Sequence, residues 1–76
     1  MSIKVRYFAS LREQIGREEE DMDSEGLNTA ADVWDQASSE PMPPNTLVAI
    51  NMEYGKPWDA VSDGDEVAFF PPVTGG

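Results

Sequence analysis

The chain has 76 residues, enough for one domain with one modest core, since so short a chain buries a smaller share of its unfolded surface than a longer one; a second domain is excluded. Fifteen acidic residues against five basic ones give a net charge of −10, which repels nucleic-acid phosphates and anionic lipid. The lack of cysteine and histidine excludes a disulfide framework, a cysteine-ligated metal site and the usual general base. An apolar fraction of 39%, close to the globular norm once the six glycines are added, predicts a folded globule held by packing alone, with self-contained catalysis not expected.

Met1-Ser2-Ile3-Lys4 is followed at once by Arg6 and then Arg12, so no apolar run resembles a signal peptide or membrane span, and a cytoplasmic protein is expected. Ile3, Val5 and Tyr7 alternate with Lys4, Arg6 and Phe8, the period of a first strand with one face in the core. Phe8 breaks the polar alternation on the outward face. It is either covered by the following segment, the reading the pattern favours, or offered to a partner. Ser10 then predicts a helix cap with Glu13 three positions on, Leu11 and Ile15 share a face, and Gly16 suits a left-handed stop.

Arg17 to Met22 reads as a polar edge strand paired with the first, ended by a Ser24-Glu25-Gly26 turn. Thr29 opens the main helix, with Asp32 near its positive end and Ala30, Val33, Trp34 and Ala37 forming a buried stripe; Trp34 is read as core rather than as a stacking platform for a ligand. Pro41, Pro43 and Pro44 stop that helix and make a stiff connector. Leu47 to Asn51 is a buried strand, Glu53-Tyr54-Gly55 a turn, and Lys56-Pro57-Trp58 an edge segment.

Ser62-Asp63-Gly64-Asp65 is a turn into the last strand, Glu66 to Phe70, where Val67 and Phe69 share one face and Ala68 and Phe70 the other. The acidic run Asp63, Asp65, Glu66 lacks the spaced ligands and closing glutamate of a calcium loop, so no metal site is expected. Pro71-Pro72 ends the pairing. Residues 1–72 then form the domain, and Val73-Thr74-Gly75-Gly76 a flexible tail with little to hold it. The order strand, short helix, strand, helix, then two or three strands predicts an α+β ubiquitin-like β-grasp, a mixed sheet of four to five strands packed on one main helix.

Terminal glycines lack Cβ atoms and can be threaded through a narrow channel, leaving the carboxylate reachable from several sides. That carboxylate is a poor electrophile until activated, for example as an acyl-adenylate made by another protein. The block Asp63-Gly64-Asp65-Glu66-Val67-Ala68-Phe69-Phe70-Pro71-Pro72-Val73-Thr74-Gly75-Gly76 closely resembles the ending of the MoaD/ThiS family, in particular of its molybdopterin synthase small subunits. Ile3-Lys4-Val5-Arg6-Tyr7-Phe8-Ala9, with Leu11-Arg12-Glu13 and Gly16, resembles the family's first strand and helix. The middle departs, since Glu18 to Asp23 and Pro41 to Pro44 match no family motif.

The resemblance implies a sulfur carrier for molybdenum cofactor biosynthesis, itself non-catalytic. A ubiquitin-activating-like adenylyltransferase would use ATP and magnesium to adenylate Gly76; a sulfur donor would convert it to a thiocarboxylate; the large molybdopterin synthase subunit, in an implied heterotetramer, would pass the sulfur to cyclic pyranopterin monophosphate. The chain itself would bind no cofactor. Val73, Thr74 and Gly75 would be gripped by partners, and Phe8, Tyr54 and Phe70 would form the docking patch, parity supporting Phe8 and Phe70 independently. Alternatives from the same tail are delivery of sulfur to thiamin thiazole or transfer RNA, and a ubiquitin-like protein modifier; a non-reactive acidic interaction module is the most distant. The acidic surface itself suits either basic protein partners or solubility in a salty cytoplasm.

Overall fold

The computed structural model describes residues 1–72; the expectations for Val73, Thr74, Gly75 and Gly76 lie outside the described residues. The elements run β1 (Ser2–Tyr7), α1 (Ala9–Ile15), β2 (Glu19–Asp23), α2 (Ala30–Ala37), β3 (Leu47–Ile50), β4 (Glu53–Gly55) and β5 (Glu66–Phe70). The five strands form one sheet in the order β2-β1-β5-β3-β4. Only the central pair, β1 with β5, is parallel; β1/β2, β3/β5 and β3/β4 are antiparallel. This is the mixed sheet of the ubiquitin-like β-grasp, with five strands realised.

Alternation decides which face is filled. Ile3, Val5, Tyr7, Val67, Phe69 and Val48 point to one side and are fully or almost fully buried, joined there by Ala30, Val33 and Trp34 of α2 and by Leu11 of α1. Trp34 meets Phe69 edge to face at 5.3 Å, and its indole Nε1 donates to the Glu40 carbonyl at 2.9 Å, so this large side chain is both packed and satisfied. Trp34 is therefore core, as its helical spacing indicates.

α2 opens with a complete capping box. The Asp32 amide donates to Thr29 Oγ1 and the Thr29 amide donates to Asp32 Oδ2, with the Asn28 amide sharing the same carboxylate oxygen. Thr29→Ala is expected to cost about 1 kcal/mol of folding stability, lowering the melting temperature by about 5 °C for a domain of this size; urea denaturation followed by circular dichroism measures it, and an unchanged midpoint would mean that Asp32 alone suffices.

Two local expectations are corrected. Ser10 is not a cap: α1 starts at Ala9, its flanking residue is Phe8, and Ser10 is exposed in the first turn. The reason is that the helix begins directly where the alternation ends. The Phe8 amide donates to Phe69 O, while the Phe8 carbonyl accepts from the Leu11 and Arg12 amides, so the chain passes from ladder to helix through Ala9, at φ 51°, with no room for a side-chain cap. The predicted stop holds, since Gly16 is left-handed at φ 85° and its amide donates to Arg12 O.

The second correction concerns residues 51–58. Glu53-Tyr54-Gly55 is not the turn but strand β4, and the turn is Asn51-Met52, both left-handed at φ 52° and 70°. Asn51 is held there on three bonds: its amide donates to Glu66 O, its Nδ2 to Asp65 Oδ1, and its Oδ1 accepts from the Glu66 amide. Lys56-Pro57-Trp58 is a tight turn instead of an edge strand. Its Pro57 and Asp59 carbonyls accept from the Ala31 and Ala30 amides, satisfying donors that the first turn of α2 leaves open.

Candidate functional site

The face of the sheet opposite α2 carries no helix among the described residues. Strand register lays one row across it, Glu19, Arg6, Ala68, Ala49 and Tyr54, taken in turn from β2, β1, β5, β3 and β4. Its centre is low because Ala68 and Ala49 are small, and each is over nine-tenths buried beneath its neighbours. Around that floor stand larger apolar groups.

Phe8 and Phe70 stack with ring centroids 4.5 Å apart and planes 7° from parallel; Tyr54 meets Phe70 edge-on at 6.3 Å. The three predicted docking residues are thus brought together, although they come from three separate parts of the chain. Parallel pairing of β1 and β5 does most of this, by carrying Phe8 beside Phe70 at the ends of adjacent strands. Tyr54 is 78% exposed and Phe8 38% exposed, so the favoured expectation that Phe8 is buried is corrected: the Phe70 ring covers one side of it and leaves the other open. A contiguous exposed aromatic cluster on a small domain is the feature expected of an interaction surface.

The opposite end of the same face is charged. Lys4 and Arg6 stand opposite Asp21 and Glu19 of β2, with Arg6 Nε 3.4 Å from a Glu19 oxygen, an exposed pair that contributes little to stability. The apolar half thus lies toward β5, β3 and β4, next to the point where Pro71-Pro72 leave the sheet.

On the core side, the Tyr7 hydroxyl donates to Glu20 Oε2 at 2.7 Å, and Arg17 Nε donates to the same oxygen at 2.9 Å while its Nη2 donates to Ala37 O. Burial, reinforced by the Glu20 carboxylate, pushes the Tyr7 phenol above its ordinary value; the hydrogen bond to Glu20 likewise holds the Arg17 guanidinium above its own. This trio is a clamp between β1, β2 and the end of α2. The acidic turn is also used structurally: Asp65 Oδ2 accepts from the Ser62 amide and Asp63 Oδ1 from the Ser24 hydroxyl. Among the described residues, no group of three or more aspartates and glutamates is arranged to hold a metal ion.

Sequence reasoning missed Met52 and Ala49, and it placed Ala68 on the face of Phe70 without giving it a role. Met52, 89% exposed at the tip of the β3–β4 hairpin, joins Arg6, Phe8, Ala49, Glu66, Ala68 and Phe70 around a hollow of about 130 Å³. The one local signal for that hairpin is the dipeptide Asn51-Met52, in which methionine stands where glycine is the usual second turn residue. A separate groove of about 580 Å³ runs between the proline connector and Lys56–Trp58, with Trp58 exposed on its rim.

The chain matches the ThiS family over residues 5–76. It is 37% identical to the molybdopterin synthase sulfur carrier subunit of Chlamydomonas reinhardtii, with all of both chains covered. Its fold is similar to that of SAMP1 from Haloferax volcanii, with a TM-score of 0.76 at 29% identity over the whole of both chains. It is also similar to a chain in the protein-protein complex of subunits 1 and 2 of the molybdopterin-converting factor from Helicobacter pylori, with a TM-score of 0.65 and full coverage of both, where 21% identity speaks for the fold alone. With a match that spans the sheet, both helices and the terminal glycines, this chain belongs to the ThiS family.

Proposed function

We propose that this chain is a sulfur carrier of molybdopterin synthase, and that its chemistry takes place at the Gly76 carboxylate. The observation that carries the reading is the joint presence of a Phe8, Tyr54 and half-buried Phe70 cluster at the end of β5, open to solvent at Phe8 and Tyr54, and, directly after it, a chain running through Pro71-Pro72 to Gly75-Gly76. The full-length likeness to a molybdopterin synthase sulfur carrier subunit supports the same conclusion.

In this reading a cytoplasmic adenylyltransferase resembling the ubiquitin-activating enzymes joins the carboxylate to AMP and releases pyrophosphate, using ATP and magnesium that this chain does not bind. Sulfide from a donor displaces AMP and leaves a thiocarboxylate, a softer and stronger nucleophile than the carboxylate. The large synthase subunit, in a heterotetramer, receives the tail, whose Val73, Thr74 and Gly75 it grips, and the sulfur passes to cyclic pyranopterin monophosphate. The carrier is non-catalytic: it supplies a tethered sulfur at high effective concentration.

The test is intact mass after incubation with a molybdopterin-pathway activating enzyme, ATP and a sulfur source. A gain of about 16 Da, sulfur for oxygen at one carboxyl, lost again as molybdopterin forms with a large subunit, is the expected result; no gain refutes the proposal. For the docking patch, Phe70→Glu is expected to raise the Kd for the large subunit by about 30-fold or more, as removal of a central aromatic contact does, with an unchanged circular dichroism spectrum. Normal affinity in that variant would move docking elsewhere.

A second reading is favoured by one finding: the similarity to SAMP1, a small archaeal modifier protein, over the whole of both chains. In that case the activated Gly76 would be transferred to a lysine amine as an isopeptide. Conjugates of raised mass in cells expressing the chain, lost on deletion of Gly75-Gly76, would mark that use.

A further inference from the structure

We propose that Met52 is a docking and specificity residue, the movable wall of the hollow on the open sheet face, which takes one aliphatic side chain of the large synthase subunit. This rests on the sulfur-carrier reading and adds to its aromatic patch a residue and a pocket.

Three observations carry it. First, Met52 is held left-handed at φ 70° in a two-residue hairpin turn whose geometry glycine adopts without strain, and its side chain is 89% exposed, so neither the turn nor the core calls for methionine there. Second, the hollow it helps to form is floored by Ala49 and Ala68 and walled by Phe8 and Phe70, with Arg6 and Glu66 at its rim. Its volume of about 130 Å³ suits a leucine or isoleucine side chain, and the two charged groups at its rim, Arg6 and Glu66, suit a polar backbone or side chain around that anchor. An unbranched thioether can adjust its rotamers to such a guest, which makes methionine a fitting wall.

Third, chain length says what covers the hollow. Six residues follow Phe70, from Pro71 to Gly76, and an extended chain spans at most about 3.5 Å per residue, so any protein that acts on the Gly76 carboxylate has its reacting site within about 20 Å of Phe70. A protein of that kind is kept within reach of the end of β5, and the hollow is walled by Phe70 itself, which favours the large subunit that receives the tail as its occupant.

The experiment measures the Kd of Met52→Gly, Met52→Gln, Met52→Leu and Phe70→Glu for a purified large subunit, together with melting temperatures. Met52→Gly relieves the turn, and is expected to raise the melting temperature by about 4 °C while weakening binding by about fivefold or more, a split that a purely structural residue does not produce. Met52→Gln, of similar length but polar, is expected to weaken binding similarly, and Met52→Leu to stay within about twofold of the parent. If Met52→Gly and Met52→Gln bind like the parent while Phe70→Glu does not, the aromatic patch stands and the role of Met52 is overturned. If Phe70→Glu also binds normally, the docking face is wrong and the inference falls with it.

Discussion

Deletion of Gly75 and Gly76 is expected to abolish thiocarboxylate formation and molybdopterin synthesis, by about a thousandfold or more, while leaving the melting temperature within about 2 °C of the full chain. The stability half of this follows from the core, whose buried members all lie between Ile3 and Phe69. The chemical half follows from reach and shape. Loss of two residues withdraws the carboxylate by about 7 Å, whereas reacting atoms must approach to about 3–3.5 Å and a misplacement of about 1 Å already costs about a hundredfold. The shortened chain also ends in Thr74, and under the proposed mechanism its branched Cβ would widen the part that enters a partner's channel. Intact mass after activation, a molybdopterin assay and a thermal melt measure the three quantities on one sample. A truncated chain that still supported molybdopterin synthesis would remove the tail from the mechanism.

Trp34→Ala should have the largest effect on folding. The side chain is fully buried, rests edge-on against Phe69 and ties the proline connector to α2 through its bond to the Glu40 carbonyl. Truncation leaves a cavity and an acceptor without its donor, for a cost of about 3–5 kcal/mol. A domain of this size has a total stability of about 4–11 kcal/mol, with no disulfide to limit its unfolded state. The variant is expected to be partly or wholly unfolded at 37 °C. Because Phe69 and Phe70 are neighbours on β5, loss of the core contact also disturbs the aromatic patch on the other face. Urea denaturation followed by circular dichroism gives the result, with Trp34→Phe as the milder case that keeps an aromatic packing surface and loses the indole donor. Full stability in Trp34→Ala would mean that the core is centred elsewhere.

Apart from that coupling through β5, the two effects fall on opposite faces of the sheet. Residues that hold the fold point to the α2 side of the sheet, and residues of the proposed docking face point to the other, because successive side chains of a strand alternate. A change at Phe70 therefore reads mainly as binding, and a change at Phe69 as stability, although the two are adjacent.

What could be read locally was whatever depends on neighbours in sequence. The alternation in β1 and β5, the Thr29 and Asp32 capping pair, the left-handed stop at Gly16 and the turn around Gly64 all involve residues within a few positions, and all stand in the structure. The same parity put Phe8 and Phe70 on the outward face, while Tyr54 and the tail came from the likeness to a family. Tertiary structure decided the rest. α1 begins at Ala9 because the Phe8 backbone is bonded to Phe69, a partner 61 positions away, and no local pattern signals that bond. Glu53-Tyr54-Gly55 has little strand character of its own and is a strand because β3 offers it a ladder, which in turn sets Asn51-Met52 as the turn and exposes Met52 beside the aromatic cluster. The strand order does the same on a larger scale: parallel pairing of the first and last strands sets Phe8 beside Phe70, and antiparallel pairing through β3 adds Tyr54, since long-range pairing is chosen by how the whole sheet closes over α2 and not by any short segment within it.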